Sequence, residues 1–238
     1  RLNTLIALAA MATDTEEPPL RITRIPARDW VSESLRGFPP LMVARYFVHG
    51  SHITSRPPVG LLPLMVDAGT AFGSGEHAST RGCLLALDRL ARRRRRQALA
   101  LDMGCGSGIL ALAIARTWHG SVQAADIDPV AVRVTTLNAR LNGLAAHINA
   151  VASEGFTSKV VRRRGPYSLI TANILARPLA LLAPRMAHAL APGGIAILSG
   201  ILVRQQRHVL NAYRTQGLVL ERRIVDAPWI TLVLKRRG

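Results

Sequence analysis

Three glycines stand at alternate positions in the segment LDMGCGSGIL: Gly104, Gly106 and Gly108. The apolar run QALALDM precedes them and is typical of a buried strand, and a run of helical character follows. Glycine permits unusual backbone angles and lets the main chain approach a ligand closely. In open α/β sheets, such a turn after the first strand holds nucleoside ligands. We therefore predict that this turn, including Gly104 and Gly106, binds a ligand.

A carboxylate follows at the end of the next predicted strand, in the segment AADIDP. Asp126 is placed to accept hydrogen bonds from both hydroxyls of a ribose. The alternative role, capping the next helix, suits Asp128 better because that residue directly precedes Pro129. We assign Asp126 to the ligand and Asp128 to the cap.

The nucleoside ligand could be NAD or S-adenosylmethionine. The dinucleotide fingerprint places its third glycine one position later than the G-x-G-x-G pattern found here. S-adenosylmethionine has no pyrophosphate, but its methionine end carries an ammonium and a carboxylate that exposed backbone groups of the turn can meet. The spacing favours S-adenosylmethionine as the cofactor.

From about residue 78 onward, the segments around this turn alternate between predicted strands and helices. This alternation predicts an α/β fold with a doubly wound, mostly parallel sheet. The last two strand-like runs, LVLERRIV and WITLVLKR, are joined only by DAP, and they must be antiparallel because a parallel return needs roughly a dozen residues. We therefore predict a seven-stranded, Rossmann-like sheet with a C-terminal antiparallel hairpin, which is the outline of a class I methyltransferase.

Composition limits the remaining possibilities. The formal net charge is +17, almost all of it from arginine, a bias that a GC-rich genome can produce by itself. The run Arg92 to Arg96 is interpreted as a solvated helix end, with a phosphate contact on a ribonucleoprotein as the alternative. Cys83 and Cys105 do not suggest a disulfide framework, which favours a cytoplasmic location. The seven histidines show no metal-ligand spacing, so we predict no metal.

Two further segments are DAGTAFGSGEHASTRGCLLAL, at 67–87, and ANILARPLALLAPRMAHALAPGGIAILSGIL, at 172–202. Together with LDMGCGSGILALAIA and ADIDPVAVRVTTLNARLNG, they resemble the PrmA family, the methyltransferases of large-subunit ribosomal protein eleven. The resemblance runs from about Trp30 to the C-terminus. Glycine turns occur in all methyltransferases, whereas the pairing of AFGSGEH with NILA is specific.

The resemblance implies S-adenosylmethionine as cofactor, and methylation of lysine side-chain and N-terminal amines of that ribosomal protein. The implied cofactor contacts are Thr80, Gly104, Asp126 and Asn173. The sequence departs from the family's motifs at two places. The usual Pro-Thr-Thr is Ala78-Ser79-Thr80 here, and the usual Asp-Pro-Gly-Leu is DAGT at 67–70. Neither removes a matched functional position.

The family also carries a small N-terminal domain that docks the ribosomal protein, and we expect most of it to be absent here. We predict that residues 1–60 are a remnant of that domain with a linker, and that residues 61–238 form the methyltransferase domain. The apolar segment LNTLIALAAMA is interpreted as a helix of the remnant, because a membrane span takes roughly 20 apolar residues. Contact with ribosomal RNA stays open, and no membrane partner is expected.

Methyl transfer to an amine needs a neutral, oriented acceptor, and a free lysine with a pKa near ~10.4 is mostly charged at neutral pH. Asn173 ends the predicted strand YSLITAN, where its side-chain oxygen could orient the amine, and we predict it as the catalytic residue. The alternative is an Asx-type cap for the next helix. His77 could act as a general base or could be a loop residue that packs over the donor, and the same two roles are open for Glu76. Phe72 could contact the ligand or belong to the core.

Two other functions stay open. An amino-methyltransferase acting on nucleic acid typically has Pro-Pro and an aromatic residue after the asparagine, to stack a flipped base. Here Ile174, Leu175 and Ala176 follow, which counts against it. A module that binds the methyl donor without turnover is the other possibility.

Overall fold

The structure is a computed structural model that describes residues 2–20, 39–67, 78–93 and 99–238. The chain divides into two compact units, Arg1–Trp30 and Val31–Gly238. The first unit contains helix α1 (Leu2–Thr13), which confirms the predicted helix in the N-terminal apolar segment. No helix in the described ranges is long and apolar enough to cross a membrane. The predicted functional division near residue 60 stays a prediction.

The second unit begins with a small three-stranded sheet of β1 (Leu41–Val43), β2 (Tyr46–His49) and β3 (Leu62–Met65). β2 is antiparallel to β1 and parallel to β3. The segment LMVARYFVHG forms the hairpin of β1 and β2. Ala44 adopts a left-handed conformation with φ of 51°, which turns the chain between β1 and β2.

The main sheet has the strand order β6-β5-β4-β7-β8-β10-β9, which confirms the predicted seven-stranded fold. β4 to β8 run parallel, and β10 is antiparallel to both β8 and β9, as expected for the C-terminal hairpin. The strands are β4 (Leu99–Met103), β5 (Ser121–Asp126), β6 (Ile148–Ala152), β7 (Tyr167–Asn173), β8 (Leu190–Leu202), β9 (Leu218–Asp226) and β10 (Trp229–Arg236).

Helices cover both faces of this sheet. They are α2 (Ala78–Arg93), α3 (Ile109–Trp118), α4 (Pro129–Leu141), α5 (Lys159–Arg164), α6 (Ala176–Ala189) and α7 (Gln206–Arg214). The basic stretch before β7 contains the short helix α5, and the Ser158 hydroxyl caps this helix by accepting a hydrogen bond from the Val160 amide. Arg92 and Arg93 end α2, as predicted, and Arg94 to Arg96 lie outside the described residues.

Two apolar clusters, one on each face, hold the layers together. Leu84, Leu87 and Leu112 are fully buried beneath α2 and α3. Leu179 and Tyr213 are fully buried beneath α6 and α7. Burial of each such side chain contributes about 1.5–3 kcal/mol. From β4 the sheet extends through β5 in one direction and through β7 in the other, so the open crevice lies at the carboxyl ends of these strands.

Candidate active site

A cavity of about 760 Å³ lies at the carboxyl ends of β4, β5, β6 and β7. Its lining includes all five residues predicted to bind the cofactor: Thr80, Gly104, Gly106, Asp126 and Asn173. The chain contributes them from three strand ends and from the first turn of α2. The structure therefore brings the predicted site residues together, and their roles toward a ligand stay predictions.

The glycine turn connects β4 to α3 and lies against β5. The amides of Gly104 and Cys105 both donate to the Ala125 carbonyl, at 2.7 and 3.1 Å. Gly104 has a φ of +71°, and a Cβ atom added there would lie 2.3 Å from Cγ2 of Ile174. Glycine is required at this position both by the backbone conformation and by the close approach of the segment after β7.

The carboxylate of Asp126 holds the turn from the end of β5. Its Oδ2 accepts from the Gly106 amide at 2.9 Å, and its Oδ1 accepts from the Asp128 amide at 3.0 Å. Asp128 in turn accepts from the Val130 amide at 2.8 Å, which confirms its role as the cap of α4. A carboxylate has about four acceptor positions, so two remain on Asp126 for hydroxyl donors in the cavity.

Two polar side chains of α4 fix the turn from the other side. The Thr135 hydroxyl donates to the Gly106 carbonyl at 3.0 Å, and the Asn138 amide donates to the Ser107 carbonyl at 2.8 Å. Both side chains are fully buried. Sequence reasoning missed them, although polar residues three positions apart on the inner face of an amphipathic helix are a usable signal, because buried polar groups are normally hydrogen-bonded.

Sequence reasoning also did not predict that Asp102 of β4 links neighbouring elements of the fold. Its Oδ1 accepts from the Thr171 hydroxyl at 2.7 Å, and its Oδ2 accepts from the Ala111 amide at 3.1 Å. The side chain therefore joins β4, β7 and α3 directly beneath the glycine turn. Its burial raises the pKa of the Asp102 carboxyl to about 7.

Asn173 ends β7, and its amide donates to the Thr80 hydroxyl at 3.1 Å. The alternative role as an Asx-type cap is wrong, because the N-cap of α6 is Leu175 and no side chain caps that helix. The Oδ1 atom of Asn173 is buried without a hydrogen-bond partner. A buried polar atom left unpaired costs about 1–3 kcal/mol, so a ligand that donates to it gains that energy.

The two cysteines are buried free thiols. Burial raises the pKa of Cys105, and that of Cys83 to about 12, which disfavours the reactive thiolate. Cys105 packs within the turn, where its sulfur lies 3.3 Å from the Thr135 hydroxyl. His77, Glu76 and Phe72 lie outside the described residues. Within the described ranges, no group of three or more histidine, cysteine, aspartate or glutamate residues could hold a metal.

The cavity has a polar side and an apolar side. Asp126, Asn173 and Thr80 contribute polar side chains to the lining. Ile127, Phe156 and Leu110 contribute apolar surface. A carboxylate for ribose hydroxyls beside an apolar wall for a base fits an adenosyl group.

Comparisons with known proteins show which family this chain matches. The family model described as "Ribosomal protein L11 methyltransferase (PrmA)" matches residues 2–237. The ribosomal protein L11 methyltransferase of Mesorhizobium japonicum is 46% identical over 217 residues, which are 91% of this chain and 74% of that protein. The one of Rhizobium meliloti is 44% identical over 229 residues, which are 95% of this chain and 78% of that protein.

Solved structures show the same fold. The crystal structure of ribosomal protein L11 methylase from Lactobacillus delbrueckii subsp. bulgaricus has a TM-score of 0.76 and 26% identity, and the match covers 84% of this chain and 100% of that chain. An RNA methyltransferase from Salinibacter ruber, solved with S-adenosyl-L-homocysteine, matches in fold alone, with a TM-score of 0.50 and 17% identity over 64% of this chain and 91% of that one. Because the family model matches nearly the whole chain, this protein belongs to the PrmA family of ribosomal protein L11 methyltransferases.

Proposed function

We propose that this protein transfers methyl groups from S-adenosylmethionine to lysine side-chain and N-terminal amines of ribosomal protein L11. One observation carries the proposal: the glycine turn, Asp126 and Asn173 line one cavity in a chain of this family. We further propose a cytoplasmic location, because the relatives act on a ribosomal protein.

Binding of the methyl donor is the task of the turn and its supports. S-adenosylmethionine supplies, when bound, a methyl carbon that is electrophilic because it is attached to a sulfonium. Asp126 accepts the ribose hydroxyls with the lone pairs that Gly106 and Asp128 do not use. Thr135 and Asn138 fix the peptide planes of the turn, so that its backbone groups are already oriented when the ligand arrives.

Orientation of the acceptor amine is the task that we assign to Asn173. Its Nδ2 is held by Thr80, which leaves Oδ1 as an acceptor whose direction is fixed. A lysine amine must first lose its proton to the solvent, and desolvation in the cavity together with the positive charge of the donor's sulfonium lowers the pKa of that amine. Alignment of a reacting pair can contribute roughly 7–11 kcal/mol toward the barrier.

Two alternatives have less support. An amino-methyltransferase acting on nucleic acid would need an aromatic residue after Asn173 to stack the base, whereas Ile174 packs against Gly104 and the side chain of Leu175 is apolar and exposed. A binding module without turnover would have the same cavity, and only an activity measurement separates it from an enzyme.

The test is incubation of the chain with isotope-labelled S-adenosylmethionine and purified L11 or ribosomal RNA, followed by mass spectrometry. We expect added methyl groups on L11 amines and none on the RNA. Calorimetry with S-adenosylmethionine and with NAD checks the cofactor in parallel. Donor binding without methylation of L11 would overturn the proposed activity and support the binding module.

A further inference from the structure

An acid-free stretch of the chain covers one face of the main sheet. Between Glu154 and Glu221 there is no aspartate or glutamate, although the whole chain has 14. This stretch contains α5, α6 and α7, which contribute buried residues to the apolar cluster on that face. Its cationic side chains are Lys159, Arg162, Arg163, Arg164, Arg177, Arg185, Arg204, Arg207 and Arg214.

Three of these arginines form a row along α7 and the turn before it: Arg204, Arg207 and Arg214, named here the α7 arginine row. All three are exposed, while Val209, Leu210 and Tyr213 of the same helix are buried in the apolar cluster on this face of the sheet. No ion pair involves the row within the described residues, where the paired arginines are Arg45, Arg81 and Arg92. The row is therefore a set of exposed guanidinium groups that have no ion pair among the described residues.

The row lies on the same side of the sheet as one wall of the cavity. β7 and β8 are parallel, and α6 and α7 each follow one of them, so both helices begin at the edge of the sheet where the cavity opens. α6 packs against α7, where the Tyr213 hydroxyl donates to the Leu179 carbonyl at 3.0 Å. Leu181 and Arg185 of α6 also line the cavity. The basic face thus continues to the cavity mouth.

We propose that this face, through the α7 arginine row, binds the phosphate backbone of RNA. A guanidinium group binds a phosphate with two parallel N–H donors. A guanidinium that has no ion pair in the protein does not need to break one before it binds a phosphate. An anionic bilayer would require several apolar side chains beside the cations. The exposed side chains among the row and directly before it are Val203, His208 and Asn211, and one of these three is apolar.

If the proposed function holds, the RNA contact also addresses an electrostatic difficulty of the reaction. An enzyme of net charge +17 gains no attraction toward protonated lysines. RNA bound to the same face would present a polyanion between the enzyme and a cationic acceptor protein. RNA binding by the row itself does not depend on which amine is methylated.

The test compares two variants that remove equal charge from opposite faces. The first is Arg204→Gln/Arg207→Gln/Arg214→Gln. The matched control is Arg89→Gln/Arg133→Gln/Arg140→Gln, since these three exposed arginines lie on α2 and α4 on the other face and have no ion pair within the described residues. Fluorescence anisotropy measures binding of a labelled single-stranded RNA of about 20 nucleotides over a salt series.

In the row variant, we expect the magnitude of the slope of log affinity against log salt concentration to fall by about 2, since each lost phosphate contact removes roughly 0.7. We also expect the affinity for RNA at low salt to fall by at least about tenfold. The control should keep the slope of the unchanged protein. Equal losses in both variants would overturn the proposal, because net charge alone would then explain binding. Row-dependent binding of polyglutamate or phosphatidylglycerol vesicles without binding of RNA would overturn it as well.

Failure of this proposal is distinguishable from failure of the proposed function. Methylation of free L11 by the row variant, with unchanged affinity for S-adenosylmethionine, reports on the activity and on correct folding. If L11 is methylated but RNA binding does not depend on the row, only the RNA inference fails. If RNA binding depends on the row but L11 is not methylated, only the proposed activity fails.

Discussion

The side-chain amide of Asn173 donates to the hydroxyl of Thr80 across 3.1 Å, which joins the end of β7 to the first turn of α2. Thr80 is fully buried, so the contact is shielded from water. The bond leaves only the oxygen of Asn173 to receive a hydrogen bond, and that atom has no partner. One pair of residues, 93 positions apart in the chain, therefore fixes a buried acceptor without a partner at a residue that lines the cavity.

Asn173→Ala should lower kcat for methyl transfer by about 100-fold, a larger factor than the fall in donor affinity, because an orienting group acts mainly in the transition state. Single-turnover kinetics and calorimetry measure the two quantities. The control is Asn149→Ala, which removes an asparagine whose amide bonds Gln123 on β5, away from the cavity lining. A fall in kcat no larger than the fall in affinity would contradict the proposed role.

Asp126→Ala should weaken S-adenosylmethionine binding by roughly 10–100-fold. The carboxylate holds the Gly106 amide and is proposed to accept the ribose hydroxyls, and hydrogen bonds to a charged group contribute about 1.5–3 kcal/mol. Asp128→Ala is the matched control, because it removes the cap of α4, at about 1 kcal/mol of stability, and leaves the cavity lining unchanged. Unchanged donor affinity in Asp126→Ala would rule out the assigned role.

Gly104→Ala should cost clearly more stability than Gly143→Ala and should abolish donor binding. Both glycines have positive φ, +71° and +67°, so both alanine variants pay a backbone penalty of about 1 kcal/mol. Only at Gly104 would the new Cβ meet another side chain, Ile174, at 2.3 Å, whereas nothing lies within 4 Å at Gly143. Urea unfolding compares the two, and equal costs would show that the turn has room for a side chain.

Thr135→Val should lower donor affinity by roughly tenfold, because it removes the hydroxyl that fixes the Gly106 peptide and leaves that carbonyl without its bond. Thr136→Val is the control in the same helix, since the Thr136 hydroxyl bonds only the Val132 carbonyl one turn back. Calorimetry with S-adenosylmethionine should separate the two variants. Identical affinities would mean that the turn keeps its geometry without α4.

The buried carboxyl of Asp102 should make the protein less stable as the pH rises through the range in which this carboxyl loses its proton. Burial raises the pKa of this carboxyl from 3.8 to about 7, so between these values the folded chain binds a proton that the unfolded chain has released. The free energy of unfolding therefore decreases with rising pH over that window. Asp102→Asn removes this group, so the stability of the unchanged protein relative to the variant should decrease from about pH 4 to about pH 7. Urea unfolding at several pH values measures it, and a constant difference would contradict the prediction.

The main sheet could be predicted because the sequence patterns that define its strands and helices each lie within a short segment of the chain. Apolar strands, amphipathic helices and the short DAP connection fix the alternation and the antiparallel end without knowledge of distant contacts. The hairpin around Ala44 was not predicted, because a left-handed alanine has no signal comparable to that of glycine. The short helix α5 was missed for a related reason, since six residues carry too little periodicity.

The sequence by itself determined the glycine turn, the carboxylate of Asp126 after the next strand and the cap at Asp128, because each depends on residue type and spacing within a few positions. Only the tertiary structure decided that Thr80 holds Asn173, that Thr135 and Asn138 support the turn, and that Asp102 lies buried beneath it. It also gathered the acid-free helices on one face. These relationships arise when strands far apart in the chain become neighbours, and packing and burial then set the hydrogen bonds and the pKa values.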